Sequence, residues 1–437
     1  MIGLVLLLAG MPVDTMRLGP GIHPGPLVLT RPTVVLGEPG AVLRGTGRGS
    51  VLVIDAPGCV VRGLRIEGSG HNPDGPDAAV LVRADSATLE DLVIRDMLFG
   101  VYLLESDGSV LRRLDIVGPH GGAEGELGDG IYLHHSRGVR AEANTISGGR
   151  DGIYFSYSDS ALMTDNRVSR VRFGLHYMFS HHNRFARNVF TDNAAGAVLM
   201  NSNGVQVTDN VFAWNSGSRS YGLVLQTATA PLVRGNSFVG NGIGVFFDNV
   251  VAGDFESNVV IGNWLGLELF ANSERTRVTG NTILGNTFDA AGGHSADAFR
   301  LCVDGRGNYW GAATGMGGGY DLDGDGVLDV PHQASSPLAE LALSRGSLRL
   351  FLGSPAARAL DWAERTFPVF DVAQVTDSCP LAAPPRAPTL SQLPGAPAGS
   401  GRGWPLGQVA VAASALVAGS MFLSISAAGR RRWERAA

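Results

Sequence analysis

Three stretches, Asn144-Thr-Ile-Ser-Gly-Gly-Arg-Asp-Gly-Ile-Tyr-Phe-Ser156, Asn166-Arg-Val-Ser-Arg-Val-Arg-Phe-Gly-Leu-His-Tyr-Met178 and Asn188-Val-Phe-Thr-Asp-Asn-Ala-Ala-Gly-Ala-Val-Leu-Met200, are successive lines of one pattern. Each opens on Asn-x-apolar, reaches a glycine and continues as an alternating apolar strand. The asparagine triplets recur at Asn144, Asn166, Asn188, Asn210, Asn236, Asn258, Asn281 and Asn308, with gaps of 22, 22, 22, 26, 22, 23 and 27. Glycines keep nearly the same step at Gly100, Gly130, Gly152, Gly174, Gly196, Gly222, Gly244 and Gly266. Upstream, Leu64, Leu92 and Leu114 stand in the asparagine slot. The period is too short for a helix pair, and each repeat reads as short strands broken by Gly, Asn, Asp and Ser. One such coil cannot bury its own apolar face, so coils must stack around a shared core. Asparagines repeating at one corner would then bond to one another as a ladder. The L-x-x-L-x-L phrase of leucine-rich repeats is absent. The chain is therefore expected to be all-β, a parallel β-helix with coils of roughly 22 residues over 13–310.

Composition agrees. The 437 residues include 61 glycines, about twice the usual share. Charged residues are only 17% and apolar ones 44%, which excludes disorder. A net charge of −6 provides no basic footprint for nucleic acid. Cys59, Cys302 and Cys379 form no C-x-x-C pair, so a zinc knuckle is not indicated, and one long-range disulfide is open to any two of them.

Outside the repeat the chain divides further. Residues 1–12 read as a truncated signal-like segment, because the apolar run of 2–9 lacks a basic n-region. Residues 311–335 form an Asp/Gly-rich cap loop, 336–381 a short helical and extended segment, and 382–403 an Ala/Pro/Gly linker. Residues 404–429 are uncharged and long enough to cross a bilayer as a transmembrane helix. Arg430, Arg431, Arg432 and Arg435 follow in the tail 430–437, which the positive-inside rule makes cytoplasmic. The β-helix is then expected in the periplasm, anchored to the inner membrane.

Alternation assigns the faces. One and three residues after the glycine lie Ile131/Leu133, Ile153/Phe155 and Leu175/Tyr177, which face the core. The positions between face outward: Tyr102, Tyr132, Tyr154 and His176 in one column, His134, Ser156, Met178 and Met200 in the next. Rungs lie ~4.8 Å apart, so Met178 and Met200 project side by side with His176 next to them. Two thioethers and an imidazole suit Cu(I), a soft ion, whereas zinc would be expected to recruit thiolate or carboxylate as well. His134 stands two rungs away, and His181 and His182 occupy a nearby corner, so these three are included as candidate ligands. The same strip could instead be an adaptable protein-binding face.

Asp321, Asp323, Asp325 and Asp329, with Gly326, match positions 1, 3, 5, 9 and 6 of a calcium loop, while position 12 is His332 in place of glutamate. A structural calcium ion is expected there. Many β-helices act on polysaccharides, and Asp129, Asp151, Asp159 and Asp165 with Arg150 and Arg172 are the acids and bases such an activity would draw on. Asp129 and Asp151 directly precede repeat glycines and Asp165 a ladder asparagine, so turn chemistry is the first reading of these acids. No nucleophile–base pair or phosphate loop appears, and no catalytic residue is assigned.

Several phrases are more specific than the repeat. Gly128-Asp-Gly-Ile-Tyr132, Gly149-Arg-Asp-Gly-Ile-Tyr154, Phe173-Gly-Leu-His-Tyr-Met-Phe-Ser-His-His-Asn183, Val303-Asp-Gly-Arg-Gly-Asn-Tyr-Trp310 and Asp377-Ser-Cys-Pro-Leu381 resemble the NosD family over about residues 20–382. The resemblance implies a right-handed β-helix in the periplasm that helps assemble the copper–sulfide centre of nitrous oxide reductase. It implies as partners an ABC transporter membrane subunit and its ATPase, a copper-chaperone lipoprotein and the apo-reductase. It favours transient Cu(I) handling at His176, Met178 and Met200. No Walker motif occurs, so ATP hydrolysis belongs to a partner and the chain is not expected to be an enzyme. The alternatives are an exported carbohydrate-binding or polysaccharide-modifying β-helix, and a metal-free docking scaffold.

Overall fold

A computed structural model of the protein describes residues 14–217, 220–292, 298–311, 319–335, 337–344, 354, 356, 359 and 375–385. The chain forms two compact units that divide after Asn210. The first unit is three parallel sheets. One runs from Asp14–Leu18 to Gln206–Thr208, the second from Gly21–Pro24 to Val189–Thr191, and the third from Leu27–Leu29 to Ala195–Asn203. Each coil contributes one strand to each sheet; 140–142, 145–147 and 151–156 make one coil, and the next repeats them in register. The second unit has the same plan, from Leu232–Arg234 to Phe299–Arg300, Val211–Ala213 to Tyr309–Trp310, and Tyr221–Thr229 to Phe288–Ala291. The parallel β-helix expected from the repeat is the observed fold.

The inward residues are fully buried: Ile131, Leu133, Ile153, Phe155, Leu175 and Tyr177 are at most 1% exposed. Each large side chain so buried contributes roughly 1.5–3 kcal/mol. The asparagines form the ladder. In the first unit the Nδ2 of Asn144, Asn166 and Asn188 each donates to the next asparagine's Oδ1 at 2.9 Å. That same oxygen accepts the backbone N–H of the residue above, so one amide satisfies both neighbours. Leu114, in the leucine version of the slot, still donates its N–H to Asn144 Oδ1 at 2.9 Å. The second unit continues the device through Asn236, Asn258, Asn281 and Asn308. There Asp377 ends it, accepting from Asn308 N at 2.7 Å and from Trp310 Nε1 at 2.9 Å. A disulfide between Cys302 and Cys379 fastens this closing segment, and Cys59 is a buried free thiol. Two further ladders were not read from the sequence: serines 106, 136, 158 and 180, and asparagines 215, 241, 263 and 286.

Within the helical segment, the described residues include the helix Pro337–Ser344. The signal-like segment 1–12, the linker 386–403, the transmembrane helix at 404–429 and the basic tail lie outside the described residues. Among the described residues, no helix is long and apolar enough to cross a membrane.

Candidate functional site

The third sheet of the first unit carries the outward columns read from the sequence. Its strands Phe99–Leu104, Ile131–His134, Asp151–Ser156, Phe173–Met178 and Ala195–Asn203 pair in parallel. Tyr102, Tyr132, Tyr154, His176 and Val198 stand in one register column, and Leu104, His134, Ser156, Met178 and Met200 in the other. The leading glycine sets where the columns begin, because a side chain there would point at the core residue Val168. A Cβ added to Gly152 would lie 2.2 Å from Val168 Cγ1 and 2.7 Å from the Gly174 carbonyl oxygen, so only glycine fits. The residue before that glycine, Asp151, therefore joins the outward side and meets His176.

That placement changes the reading of two acids. Asp129 and Asp151 are fully buried ion-pair partners, not solvated turn groups. Arg150 grips Asp129 with Nε–Oδ1 at 3.1 Å and Nη2–Oδ2 at 3.0 Å. One coil on, Arg172 grips Asp151 with Nε–Oδ1 at 2.9 Å and Nη2–Oδ2 at 2.7 Å. Burial and the neighbouring Asp151 charge push the Asp129 carboxyl up to about 6, against the pull of Arg150. Burial also works to raise Asp151, but the bonds from His176 and Arg172 outweigh it and hold that carboxyl below its ordinary value. The signal was in the sequence: each arginine follows its aspartate by 21 residues, one fewer than a coil. By contrast Asp165, at φ 60°, is the turn residue expected, paired at the surface with Arg187.

Met178 and Met200 are directly opposed partners on adjacent strands, and both are half-buried. The Tyr154 hydroxyl donates to Met178 Sδ at 3.5 Å. His176, 13% exposed, lies two residues before Met178 on the same face, with Nδ1 2.8 Å from Asp151 Oδ2. Its ring stands edge-on to Tyr154 and to Phe173, with centroids at 4.5 and 5.2 Å. Two thioethers and an imidazole with one nitrogen engaged by Asp151 make a donor set of the soft kind that fits Cu(I), with no thiolate in it.

The other three histidines are placed apart from this set. His134 is separated from Met178 by the Ser156 rung. Its ring stacks on Tyr132 and abuts His135, and burial, with His135 as neighbour, lowers its pKa. His181 lies on the turn beyond Met178, its backbone N–H donated to Asp159 Oδ1 at 2.7 Å, and the His182 ring fills the space beside Gly204. Beside the columns, the sequence left unnoticed a surface stack of His135, Tyr157 and Phe179, with centroids 4.9 and 5.3 Å apart.

In the second unit, carboxylate oxygens of Asp321, Asp323 and Asp325 lie within 4.8 Å of one another. Asp329 is not in that group; its Oδ2 accepts the Leu322 N–H. His332 is in a short strand paired with Asp377 and packs on Trp310, away from the loop role that position 12 would have.

Comparison with known proteins agrees with the sequence phrases. The NosD family, described as "Periplasmic copper-binding protein (NosD)", matches residues 107–315. The "Probable ABC transporter binding protein NosD" of Pseudomonas aeruginosa is 34% identical over 386 residues, covering 85% of this chain and 88% of that one. The chain belongs to the NosD family. A protein of the same description from Stutzerimonas stutzeri is 33% identical over 394 residues, covering 86% of this chain and 88% of its own. Among solved structures, the A-module of Azotobacter vinelandii mannuronan C-5 epimerase AlgE6 is similar, with TM-score 0.50 and 15% identity over 66% of this NosD-family chain and 89% of the module. Bacteriophage phi29 gene product 12 gives TM-score 0.56 and 12% identity over 63% and 46%. At those identities the fold alone is shared.

Proposed function

We propose that this NosD-family chain is a periplasmic accessory protein for nitrous oxide reductase maturation that carries Cu(I) on its outward sheet face. The observation behind this reading is the in-register Met178–Met200 pair with His176 beside it. Soft ligands without a carboxylate favour Cu(I) over zinc, magnesium or calcium. On this reading copper is cargo, received from a copper-chaperone lipoprotein and passed to the apo-reductase. The membrane subunit and ATPase of an ABC transporter supply the driving force, and residues 404–429 hold the chain beside them. The Asp321–Asp325 loop takes a calcium ion in a structural role.

A polysaccharide reading draws on the column of Tyr102, Tyr132 and Tyr154 rings, with centroids 4.5 Å apart and tilted in the first pair and 4.7 Å apart and stacked in the second. Against it, Arg150 and Arg172 each spend Nε and Nη2 on Asp129 and Asp151, so the side-on edge of each guanidinium is not open to a sugar carboxylate.

Anaerobic titration of the full chain with Cu(I) against a competing chelator tests the proposal. One equivalent is expected to bind and to be lost in the His176→Ala/Met178→Ala/Met200→Ala variant. No binding by the wild type overturns copper carriage and leaves a scaffold that positions transporter and reductase.

A further inference from the structure

The hydrogen bonds around Asp151 determine which nitrogen of His176 carries a proton. Oδ1 accepts from Arg172 Nε at 2.9 Å and from the Phe173 N–H at 3.2 Å. Oδ2 accepts from Arg172 Nη2 at 2.7 Å and faces His176 Nδ1 at 2.8 Å. A carboxylate held by an arginine fork is acceptor-only, so the group facing it at His176 must be a donor. The proton is therefore on Nδ1, and in the neutral ring the lone pair is on Nε2. Among the described residues nothing hydrogen-bonds to Nε2. The edge-on rings of Tyr154 and Phe173 leave the imidazole little freedom to turn, and Arg172 is itself fixed over the Phe173 ring at 4.5 Å.

One coil earlier the molecule repeats the arrangement without the histidine. Asp129, Arg150 and Tyr154 occupy the register positions of Asp151, Arg172 and His176. Tyr154 directs its hydroxyl to Met178 Sδ. The second copy thus differs from the first by one ring nitrogen that can donate to the carboxylate and another that can face a metal.

We infer that Asp151 is the positioning residue of the copper site: its arginine-held carboxylate keeps the His176 proton on Nδ1 and presents Nε2 on the face of Met178 and Met200. This rests on the copper reading above and adds to it the residue that selects the ligand atom. Carboxylate partners of this kind fix the tautomer and ring orientation of metal-binding histidines, and their loss commonly costs about 10- to 100-fold in metal affinity.

The test uses the full chain, with histidine ring nitrogens labelled, in two measurements. Long-range proton–nitrogen correlation of the copper-free protein reads the tautomer, with the His176 signals identified by their disappearance in His176→Gln. Competition titration then compares Cu(I) affinity in wild type, Asp151→Asn and Asp129→Asn. Expected is an Nδ1–H tautomer in the wild type. Asp151→Asn should lose that preference and bind Cu(I) at least tenfold more weakly. Asp129→Asn, which removes the equivalent buried charge without touching His176, should change neither within twofold. An Nε2–H tautomer in the wild type overturns the inference without recourse to any variant. Tight Cu(I) binding indifferent to Asp151→Asn overturns it while leaving copper carriage standing. Absence of Cu(I) binding in the wild type overturns copper carriage first and this inference with it.

Discussion

Removing one amide from the middle of the asparagine ladder should cost far more than a polar-to-apolar change at a surface turn. Asn166 is fully buried and makes four side-chain hydrogen bonds. Its Nδ2 donates to Ala141 O and Asn188 Oδ1, both at 2.9 Å, and its Oδ1 accepts from Asn144 N at 3.0 Å and Asn144 Nδ2 at 2.9 Å. In Asn166→Ala two of the four partners retain another bond: Asn188 Oδ1 still accepts the residue 166 N–H, and Asn144 Nδ2 still donates to Leu111 O. The Asn144 N–H and the Ala141 carbonyl lose the Asn166 amide. At ~1–3 kcal/mol for each of the two buried groups, the loss should be about 2–6 kcal/mol. Asn166→Leu separates this cause from the void the substitution leaves. It restores volume, and leucine is the residue the chain itself uses in this slot at Leu92 and Leu114. It still provides no acceptor for the Asn144 N–H, so it should recover less than half of the loss. Urea unfolding gives the free energies, and hydrogen exchange over 140–190 shows whether opening is confined to the neighbouring coils, as stacked repeats permit. A loss below about 1 kcal/mol in Asn166→Ala, or full recovery in Asn166→Leu, would refute the argument that satisfied polar groups rather than packing hold this corner.

Two other outcomes follow from charged groups. The folded-state pKa of Asp129 is raised to about 6, so the native protein holds this proton more tightly than the unfolded chain. Its contribution to stability should fall as pH rises from about 4 to 6, by at most ~1.4 kcal/mol per pH unit. Asp151 has the opposite sign: its pKa is lowered, and its contribution is lost as pH falls below the ordinary aspartate range. Thermal melts of Asp129→Asn between pH 4 and 7 should lack the wild-type dependence assigned to Asp129; an unchanged profile would show that Arg150 dominates that carboxyl. At the Asp321–Asp325 loop, millimolar calcium should raise the melting temperature of the wild type and leave Asp321→Asn/Asp323→Asn unaffected. Equal melting of the wild type with and without calcium would count the loop as a hydrogen-bonded turn only.

The fold was legible because its determinants are periodic. The asparagine triplets and strand glycines each mark one corner, and alternation then assigns Phe155 and Tyr177 to the interior and Tyr154 and Met178 to the exterior. What escaped was interaction between coils whose spacing is not a whole period. Asp151 meets Arg172 after 21 residues and His176 after 25, and both depend on Gly152, where the strand's strict alternation fails. A period-two count would put Asp151 with Ile153 and Phe155, facing the core. The wider histidine group is spread out for a related reason. His134, His181 and His182 are near His176 in the sequence pattern, but the register puts a whole rung or a turn between each of them and Met178. The disulfide was undetermined because Cys302 and Cys379 are separated by 77 positions, most of them beyond the last repeat at Asn308.

On the proposed reading, the β-helix is useful to a copper carrier because it fixes ligand separation without fixing the ion. Backbone hydrogen bonds hold successive rungs at ~4.8 Å, so an opposed methionine pair keeps a nearly constant spacing whether or not metal is present. Little reorganisation is then needed on loading, and little is recovered that would trap the ion. Half-buried thioethers on an open sheet face can be approached by a donor or acceptor protein from the outside, which a closed four-ligand site does not allow. Asp151 adds the one directional element, an imidazole lone pair aimed from a buried ion pair. A relay needs that combination of modest affinity, ready access and a preset geometry. A storage site would be expected to use thiolates instead, and the only free thiol among the described residues, Cys59, is buried in the core.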